Sequence, residues 1–555
     1  MEFNIKIRDL NITTFALINR ATSNAVLISL TLAVALPLLT VILSLSTGGS
    51  ALWIRLFATT LPSYVANSLG LMLMTGVLAC LIGVSAAWCI TMLDFPGRKT
   101  LSWLLILPLA SPAYIIGYVY VDLIDYYGPL QSALRHIPLW ETGEHRLPSI
   151  RNIYGAAYVL AIVLYPYIYL MARAAFRAQS TAQWHAARSL GQNSWQAFRS
   201  VAIPMARPAI IGGLALVLME TLADFGVADY FGVPTFSTGI FRSWLAEGDK
   251  AAAMKLAAIM LLFVFLLIAV ERYSRKGHSA DTGQSRAQDG LVKLSRPASY
   301  TVALLCSLPV LLGFVIPSAR LLYNTLASYD PQVFAAFWTY CANSLKVSFI
   351  VAALTVSLGA LFAYQQRRMT SAYGKALIRL CTLGYALPGA LLAIGLLMPL
   401  GSIDRALTLW LRQIFDPNMG LILSGSLIIL IYALIIRFLT ISFNTISAGL
   451  ETIAPNMDTA ARSLGARPAA VFTRIHIPML RSSLLTGGLL VFIDVLRELP
   501  ATLILRPFNF DTLATRVYWL ASDEQLAQAS SAALLIILFG LLPVILLNRS
   551  IDKRA

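Results

Sequence analysis

Long hydrophobic stretches, separated by short polar segments, run along the whole chain. Twelve of them are close to or above the ~20 mainly apolar residues that a transmembrane helix needs. We place these stretches at about 25–46, 64–93, 101–124, 151–176, 208–230, 251–272, 300–323, 340–365, 376–400, 419–443, 482–505 and 527–548. Their apolar residues are continuous, whereas strands of a membrane barrel alternate apolar and polar residues over ~10 positions. The pattern therefore predicts an all-α integral membrane protein with about twelve transmembrane helices.

The composition agrees with a membrane location. Of 555 residues, 58% are hydrophobic and 12% are charged, whereas soluble domains carry about 25% charged residues. The net charge of +16 could indicate nucleic-acid binding, but the basic residues collect in alternate polar segments, such as Arg188–Arg207 and Arg462–Arg481. This is the positive-inside pattern, and it places both termini in the cytoplasm. We therefore predict that the chain contacts membrane lipid and does not bind nucleic acid.

One six-residue motif occurs twice. Ala186–Gly191 reads Ala-Ala-Arg-Ser-Leu-Gly, and so does Ala460–Gly465, at an offset of 274 positions (460 − 186). Ile203-Pro204-Met205 follows the first copy and Ile477-Pro478-Met479 follows the second, again at an offset of 274 (477 − 203). A constant spacing over separate motifs indicates an internal duplication.

The duplication extends beyond this motif. Ala66–Leu69 reads the same as Ala342–Leu345, and Pro112 corresponds to Pro388, both at an offset of 276 (342 − 66 and 388 − 112). Each half holds an even number of predicted spans, so the halves share one orientation, and parallel repeats of this kind place a translocation route at their interface. We predict an N-terminal six-helix repeat over 1–274, a flexible cytoplasmic linker over 275–297 and a C-terminal six-helix repeat over 298–555.

The two motif copies lie in polar loops, 180–208 and 447–482. Each loop begins with helix-favouring residues, and Gly191 or Gly465 permits a sharp bend before a second short helix. The repeated proline is expected where the next span begins. Such a loop could dock a protein outside the membrane, or it could be an amphipathic helix on the membrane surface with no partner. Its duplication favours docking.

These loops resemble the cytoplasmic Glu-Ala-Ala motif of ABC-importer permeases, which continues after three residues with Gly and after nine more with Ile-x-Leu-Pro. The family's glutamate position is His185 in the first copy and Thr459 in the second, with Asp458 one position earlier. The residues that match the motif are Ala186, Ala187, Gly191, Pro204, Ala460, Ala461, Gly465 and Pro478.

The resemblance implies the type I ABC-importer permease fold in a bacterial inner membrane. In that family the loop is a coupling helix that sits in a cleft of the ATPase subunit. The implied partners are two copies of a cytoplasmic ABC ATPase, which use ATP, and a periplasmic or lipid-anchored substrate-binding protein. This chain has no Gly-x-x-x-x-Gly-Lys-Ser/Thr phosphate loop, so we expect it to bind no cofactor itself and to be a transport subunit, not an enzyme.

Four further segments are similar to fused two-fold permeases for ferric iron: Leu222–Gly226, Phe231–Phe236, Arg497–Thr502 and Phe510–Ala514. The resemblance implies ferric iron as the substrate. Permeases for thiamine, polyamines and phosphonates share much of this architecture and are alternatives. An ion-coupled secondary transporter, which also uses parallel repeats, is an alternative of another class.

Four acidic residues fall within or near the predicted spans, where a charge costs roughly 2.5–3.5 kcal/mol at the helix centre. Glu220 and Asp224 correspond to Asp494 and Glu498 at an offset of 274 (494 − 220). These carboxylates could line a cation route between the halves. Alternatively, they could make helix-to-helix hydrogen bonds or lie near the outer ends of spans, with Arg497 neutralising Glu498. The scattered cysteines and histidines predict no metal site.

Overall fold

A computed structural model describes residues 28–29, 31–46, 48, 51–135, 148–179, 189–275, 292–328, 331–369, 371–381, 384, 387–414 and 420–552. These residues form the helices α1 (Thr31–Ser46), α2 (Ala51–Thr59), α3 (Leu61–Met92), α4 (Arg98–Leu104), α5 (Ala113–Ile124), α6 (Pro129–Arg135), α7 (Ile153–Ala178), α8 (Ser194–Ala197), α9 (Ile203–Ala223), α10 (Gly226–Tyr230), α11 (Phe236–Phe241), α12 (Lys250–Arg275), α13 (Arg296–Val310), α14 (Ile316–Ala327), α15 (Pro331–Arg368), α16 (Ala372–Cys381), α17 (Gly389–Ile414), α18 (Leu427–Glu451), α19 (Pro455–Ser463), α20 (Pro468–Val471), α21 (Ile477–Leu496), α22 (Pro500–Leu505), α23 (Leu513–Ser522) and α24 (Leu526–Asp552).

The prediction of an all-α membrane fold is confirmed. Ten described helices are long and apolar enough to cross a membrane, or twelve spans in all if each of two bent helix pairs counts as one. One pair, Thr31–Ser46 and Ala51–Thr59, bends by 87°, and the other, Arg98–Ala110 and Ala113–Arg135, bends by 91°. The two described strands, Leu93–Asp94 and Val292–Lys293, pair in parallel with Leu93 opposite Val292.

The repeated prolines lie where helices break. Pro112 has an extended backbone (φ −59°, ψ 135°) and immediately precedes α5. The predicted span 376–400 is wrong as a single helix, because α16 ends at Cys381 and α17 begins at Gly389, directly after Pro388. A proline has no backbone N–H and disfavours a helical residue before it, so it starts a helix more easily than it continues one.

The second repeated proline behaves differently from the prediction. The span that contains Pro204 already begins at Trp195, and the span that contains Pro478 begins at Pro468. In both spans a π-helical turn, Phe198–Ala202 or Phe472–His476, ends two positions before the proline. The proline has no N–H to donate, and the wider π turn changes the hydrogen-bond spacing just before it, so the helix continues through the proline.

The chain divides into two compact units. One is drawn from Met1–Ser46, Val347–Leu387 and Leu391–Val495, and the other from Thr47–Lys346, Pro388–Ala390 and Leu496–Ala555. These boundaries differ from the sequence halves, which therefore remain a prediction about the duplication. Most of the predicted linker lies outside the described residues, and its last part contains the strand Val292–Lys293.

Corresponding glycines allow close helix crossings in the two units. A Cβ atom on Gly83 would lie 3.0 Å from the Cβ atom of Ile168, where α3 crosses α7. A Cβ atom on Gly359 would lie 3.0 Å from the Cβ atom of Ser442, where α15 crosses α18. Small residues at such crossings let helix backbones approach closely in a membrane. The two crossings repeat at offsets of 276 (359 − 83) and 274 (442 − 168), as the sequence motifs do.

The first copy of the Ala-Asn-Ser-Leu motif secures the start of α11. Asn67 Nδ2 donates to the carbonyl of Pro234 at 3.1 Å, and Ser68 Oγ accepts the backbone N–H of Phe236 at 3.2 Å. The N–H of Thr235 donates to Thr238 Oγ1 at 2.8 Å, also at the helix start. These contacts satisfy backbone groups that the first turn of a helix leaves without partners.

The second copy of the motif secures the start of α23 in the same way. Asn343 Nδ2 donates to the carbonyl of Asp511 at 3.0 Å, and Ser344 Oγ accepts the backbone N–H of Leu513 at 2.7 Å. Thr512 and Thr515 form a reciprocal capping box at the start of α23. The motif is therefore repeated because each half must hold a short helix that follows a membrane span.

We predict that Ser344→Ala lowers the unfolding free energy by about 1–3 kcal/mol, because the buried N–H of Leu513 loses its acceptor. Thermal unfolding of the purified chain in mild detergent measures this loss. Ser357→Ala on the same helix is the control, because its exposed hydroxyl only donates to the carbonyl of Ala353. Equal effects of the two substitutions would contradict the assigned role.

Candidate functional site

The second polar loop forms a helical elbow that turns at a left-handed glycine. Helix α19 ends after Ser463, and Gly465 has φ 83°. The N–H of Gly465 donates to the carbonyl of Arg462 at 2.9 Å, and the N–H of Ala466 donates to that of Ala461 at 3.0 Å. Since only glycine adopts this backbone conformation without strain, the residue ends the helix and starts the bend. We name residues 455–479 the C-terminal elbow.

The first polar loop turns in the same way. Gly191 also has φ 83°, and α8 follows within three residues. The motif residues Ala186 and Ala187 lie outside the described residues. Of their counterparts, Ala460 is exposed and Ala461 is buried. We name residues 189–205 the N-terminal elbow.

A leucine at the tip of each elbow is almost fully exposed. Leu190 is 83% exposed and Leu464 is 88% exposed, and each directly precedes the left-handed glycine. The two leucines correspond at the offset of 274 (464 − 190). A single exposed apolar residue is normal on a protein surface. It is the repetition of this leucine beside the same glycine, rather than its exposure, that makes it a candidate contact. Sequence reasoning missed these leucines, although both belong to the repeated six-residue motif.

A charged network fixes the base of the C-terminal elbow. Asp458 Oδ2 accepts a hydrogen bond from Arg367 Nε at 2.9 Å, and Asp458 Oδ1 lies 2.6 Å from His476 Nε2. The side chain of His476 is 0% exposed, and those of Arg367 and Asp458 are 16% and 17% exposed. A carboxylate can only accept, so the imidazole N–H is the donor. The network joins α15, α19 and the π turn that precedes α21.

The same arginine also closes the end of α18. Arg367 Nη2 donates to the carbonyl of Ile453 at 2.9 Å, and Nη1 donates to that of Leu450. The last carbonyls of a helix have no partners within it and carry its negative dipole end, so a guanidinium is favourable there. Arg367 therefore holds both the end of one span and the start of the elbow.

The pKa of Asp458 reflects these contacts. Burial alone would raise the pKa of this carboxyl, but the hydrogen bonds from His476 and Arg367 outweigh burial, and the pKa lies below its usual value. The carboxyl is therefore ionised at neutral pH. A lowered native pKa contributes stability above the ordinary carboxyl pKa, and this stability is lost as the pH falls through the lowered value.

Two of the four predicted pathway acids cap short helices. Asp224 Oδ1 accepts the backbone N–H groups of Val227 at 2.9 Å and Ala228 at 3.2 Å, at the start of α10. Glu498 accepts the N–H groups of Ala501 and Thr502, each at 3.0 Å, at the start of α22. Both carboxylates thus satisfy backbone donors that helix starts leave open.

The other predicted pathway acids lie one turn earlier in the same chain segments. Glu220 is half-buried in α9 and Asp494 is half-buried in α21. Arg497, the expected partner of Glu498, donates through Nη1 to the carbonyl of Leu109 at 2.9 Å. Among the described residues, no group of three or more His, Cys, Asp or Glu side chains is arranged to hold a metal ion.

The sequence matches the family described as "Binding-protein-dependent transport system inner membrane component" over residues 79–276 and 355–555, which is more than half of the chain. The chain belongs to this family. Each matched segment contains one elbow and one of the two helix-capping acids.

Individual relatives differ in how much of the chain they match. The Fe(3+)-transport system permease protein of Haemophilus influenzae is 24% identical over 524 residues, which is 93% of this chain and 96% of the relative. A sulfate transport system permease protein of Escherichia coli is 29% identical over 193 residues, 33% of this chain and 64% of the relative. A molybdenum transport system permease protein of Escherichia coli is 23% identical over 197 residues, 34% of this chain and 83% of the relative. The resemblance to fused ferric iron permeases is confirmed.

Capping and charge can be separated in this inner membrane component. Asn is as good a helix cap as Asp, whereas Ala at a cap costs about 1 kcal/mol. We therefore predict that Asp224→Asn leaves the unfolding temperature close to that of the wild type and that Asp224→Ala lowers it, because only alanine leaves the N–H groups of Val227 and Ala228 open.

Thermal unfolding tests the cap, and substrate uptake by the stable Asp224→Asn variant tests the charge. We expect uptake close to that of the wild type. A large loss of uptake at unchanged stability would assign the carboxylate charge to the translocation route.

Proposed function

We propose that this chain is the membrane-spanning subunit of an ATP-driven ABC importer and that both halves of its gate are fused in one polypeptide. The observation that carries this proposal is the pair of elbows, each with an exposed leucine beside a left-handed glycine at φ 83°. In this proposal Ala186–Gly191 and Ala460–Gly465 are the coupling helices. Each docks into one of two cytoplasmic ATPase subunits.

The proposed mechanism links ATP binding to movement of the spans. Closure of the ATPase dimer moves both elbows, and the part of each elbow that follows its glycine is the start of a 29-residue span, Trp195–Ala223 or Pro468–Leu496. A continuous helix transmits displacement along its axis, because its hydrogen-bonded backbone resists compression. Alternating access follows as the two halves rock, while a separate periplasmic or lipid-anchored binding protein delivers substrate from outside.

We propose ferric iron as the substrate. The iron permease of Haemophilus influenzae matches both halves of this chain, whereas the sulfate and molybdenum permeases match about a third of it. Because Asp224 and Glu498 are engaged as helix caps, the half-buried acids Glu220 and Asp494 are proposed to screen the charge of a passing cation. Tight binding is not expected of them, because transport requires contacts weak enough to release the ion.

The first test concerns docking. We predict that Leu190→Asp and Leu464→Asp each weaken capture of the ATPase subunit about tenfold or more, since a buried leucine contributes about 1.5–3 kcal/mol. Co-purification in mild detergent at graded ATPase concentrations measures the affinity. Phe508→Asp is the control. Phe508 is 95% exposed, but it follows the end of the span Pro468–Leu496, whereas the C-terminal elbow lies at the start of that span. Equal capture by all three variants would refute the docking role.

The second test concerns the substrate. Cells that express the chain with its ATPase and binding protein are expected to accumulate radioactive ferric iron. The double variant Leu190→Asp/Leu464→Asp should accumulate iron only at the background rate. Accumulation of sulfate or molybdate instead of iron would overturn the substrate assignment, and accumulation that follows the proton gradient without an ATPase would overturn the importer class.

A further inference from the structure

The two elbows are held against the neighbouring helices by different kinds of side-chain contact, and we call this region of contact the base of each elbow. In the N-terminal elbow, the Phe198 ring packs 4.4 Å from the ring of Trp88 and 6.4 Å from that of Phe176. A neutral polar contact lies beside it, in which Gln179 Nε2 donates to the carbonyl of Ala202 at 2.9 Å. Such aromatic pairs contribute about 0.5–1.5 kcal/mol beyond the area that they bury.

The C-terminal elbow keeps the aromatic contact and adds the charged network. The rings of Tyr364 and Phe472 are 4.7 Å apart, and these residues correspond to Trp88 and Phe198 at offsets of 276 (364 − 88) and 274 (472 − 198). Tyr364 also donates through its hydroxyl to the carbonyl of Pro468 at 2.8 Å. The aromatic pair is therefore common to both elbows, and the polar contacts distinguish them.

The residues of the charged network have no ionisable counterparts. At the corresponding positions of the first half, Arg367 is replaced by Thr91 (367 − 276), Asp458 by Trp184 (458 − 274) and His476 by Ala202 (476 − 274). All three changes remove a group that the network needs. The absence of these three side chains from the corresponding positions follows from the sequence itself and does not depend on how any side chain is oriented.

We propose that the two elbows are mechanically unequal and that the Arg367–Asp458–His476 network makes the C-terminal elbow the stiffer handle, through which most of the ATPase movement reaches the membrane spans. This inference rests on the proposed function. Charge-assisted hydrogen bonds are directional and roughly twice as strong as neutral ones, so the network resists rotation of α19 against α15 and α21. The three residues are positioning residues, since they bind neither ATP nor cargo.

The burial of the network supports a mechanical role. The side chain of His476 is fully buried, its ring lies 5.2 Å from that of Tyr364 in an edge-on arrangement, and its Nε2 is committed to Asp458. Arg367 holds the carbonyls at the end of α18 with the nitrogens that Asp458 does not use. Displacement of the elbow would therefore break several bonds at once and leave the partly buried charges of Arg367 and Asp458 unpaired, which is unfavourable.

The test compares one bond removed from each elbow. Asp458→Asn removes the charge of the C-terminal network, Asp458→Glu retains it, and Gln179→Ala removes the neutral bond of the N-terminal elbow. The chain is reconstituted in liposomes with the ATPase subunit that co-purifies with the wild type, and ATP hydrolysed per iron ion imported is measured per captured complex. Normalisation to captured complex removes the effect of lower yield, which a merely structural role would produce.

We expect Asp458→Asn to capture the ATPase as the wild type does but to hydrolyse about fivefold or more ATP per ion imported. Asp458→Glu should restore much of the coupling, and Gln179→Ala should remain close to wild type. Unchanged coupling in Asp458→Asn, or equal uncoupling by Gln179→Ala, would overturn the inference.

Amide hydrogen exchange of the chain alone in lipid nanodiscs provides a second readout. Asp458→Asn should accelerate exchange in residues 455–463, whereas Gln179→Ala should leave residues 189–197 nearly unchanged. Equal acceleration in both elbows would contradict unequal stiffness. If the wild type captures no ATPase subunit, the proposed function fails, and the exchange experiment still decides whether the elbows differ.

Discussion

Helix ends within a membrane protein leave backbone N–H and C=O groups that water satisfies poorly, and side chains must satisfy them instead. Many of the informative residues of this chain perform that task. Asp224 and Glu498 cap the helices that follow two spans, and Thr512 caps a later helix. At the end of α18, Arg367 instead donates hydrogen bonds to backbone carbonyls. The need to hydrogen-bond the backbone groups at helix ends therefore explains the positions of these polar residues in an otherwise apolar chain.

The duplication shows which of these solutions tolerate change. The cap at one site is an aspartate in the first half and a glutamate in the second, and both reach two backbone N–H groups. The aromatic pair at the elbow base exchanges Trp88 for Tyr364 and keeps its phenylalanine partner. The backbone of the elbows is stricter, since both glycines have φ 83°. The two halves thus preserve geometry and vary chemistry, which is how an unequal pair of handles can arise from one ancestor.

Local patterns predicted the parts of this structure that depend on local chemistry. Hydrophobic runs located the spans, and the repeated motifs located the elbows. The Ala-Asn-Ser-Leu motifs also pointed to Ser68 and Ser344, although not to the hydrogen bonds that these residues accept. The break before Gly389 and the helix that continues through Pro478 depend on packing around a proline, which a hydrophobic run does not reveal. The partners of Asp458 are further out of reach, because Arg367 is 91 positions away in sequence. The sequence showed a displaced carboxylate, and only the fold shows that Arg367 and His476 hold it.

An elbow that couples two proteins must satisfy opposed demands at its tip and at its base. The tip needs an apolar group free of internal contacts, and Leu464 is 88% exposed. The base needs groups that cannot shift, and Val471 and His476 are almost wholly buried. One leucine contributes about 1.5–3 kcal/mol when it becomes buried, which is too little for stable docking by itself. In the proposed docking, two elbows on one chain raise the effective concentration of the second contact, so fusion of the halves would strengthen docking without any additional contact surface.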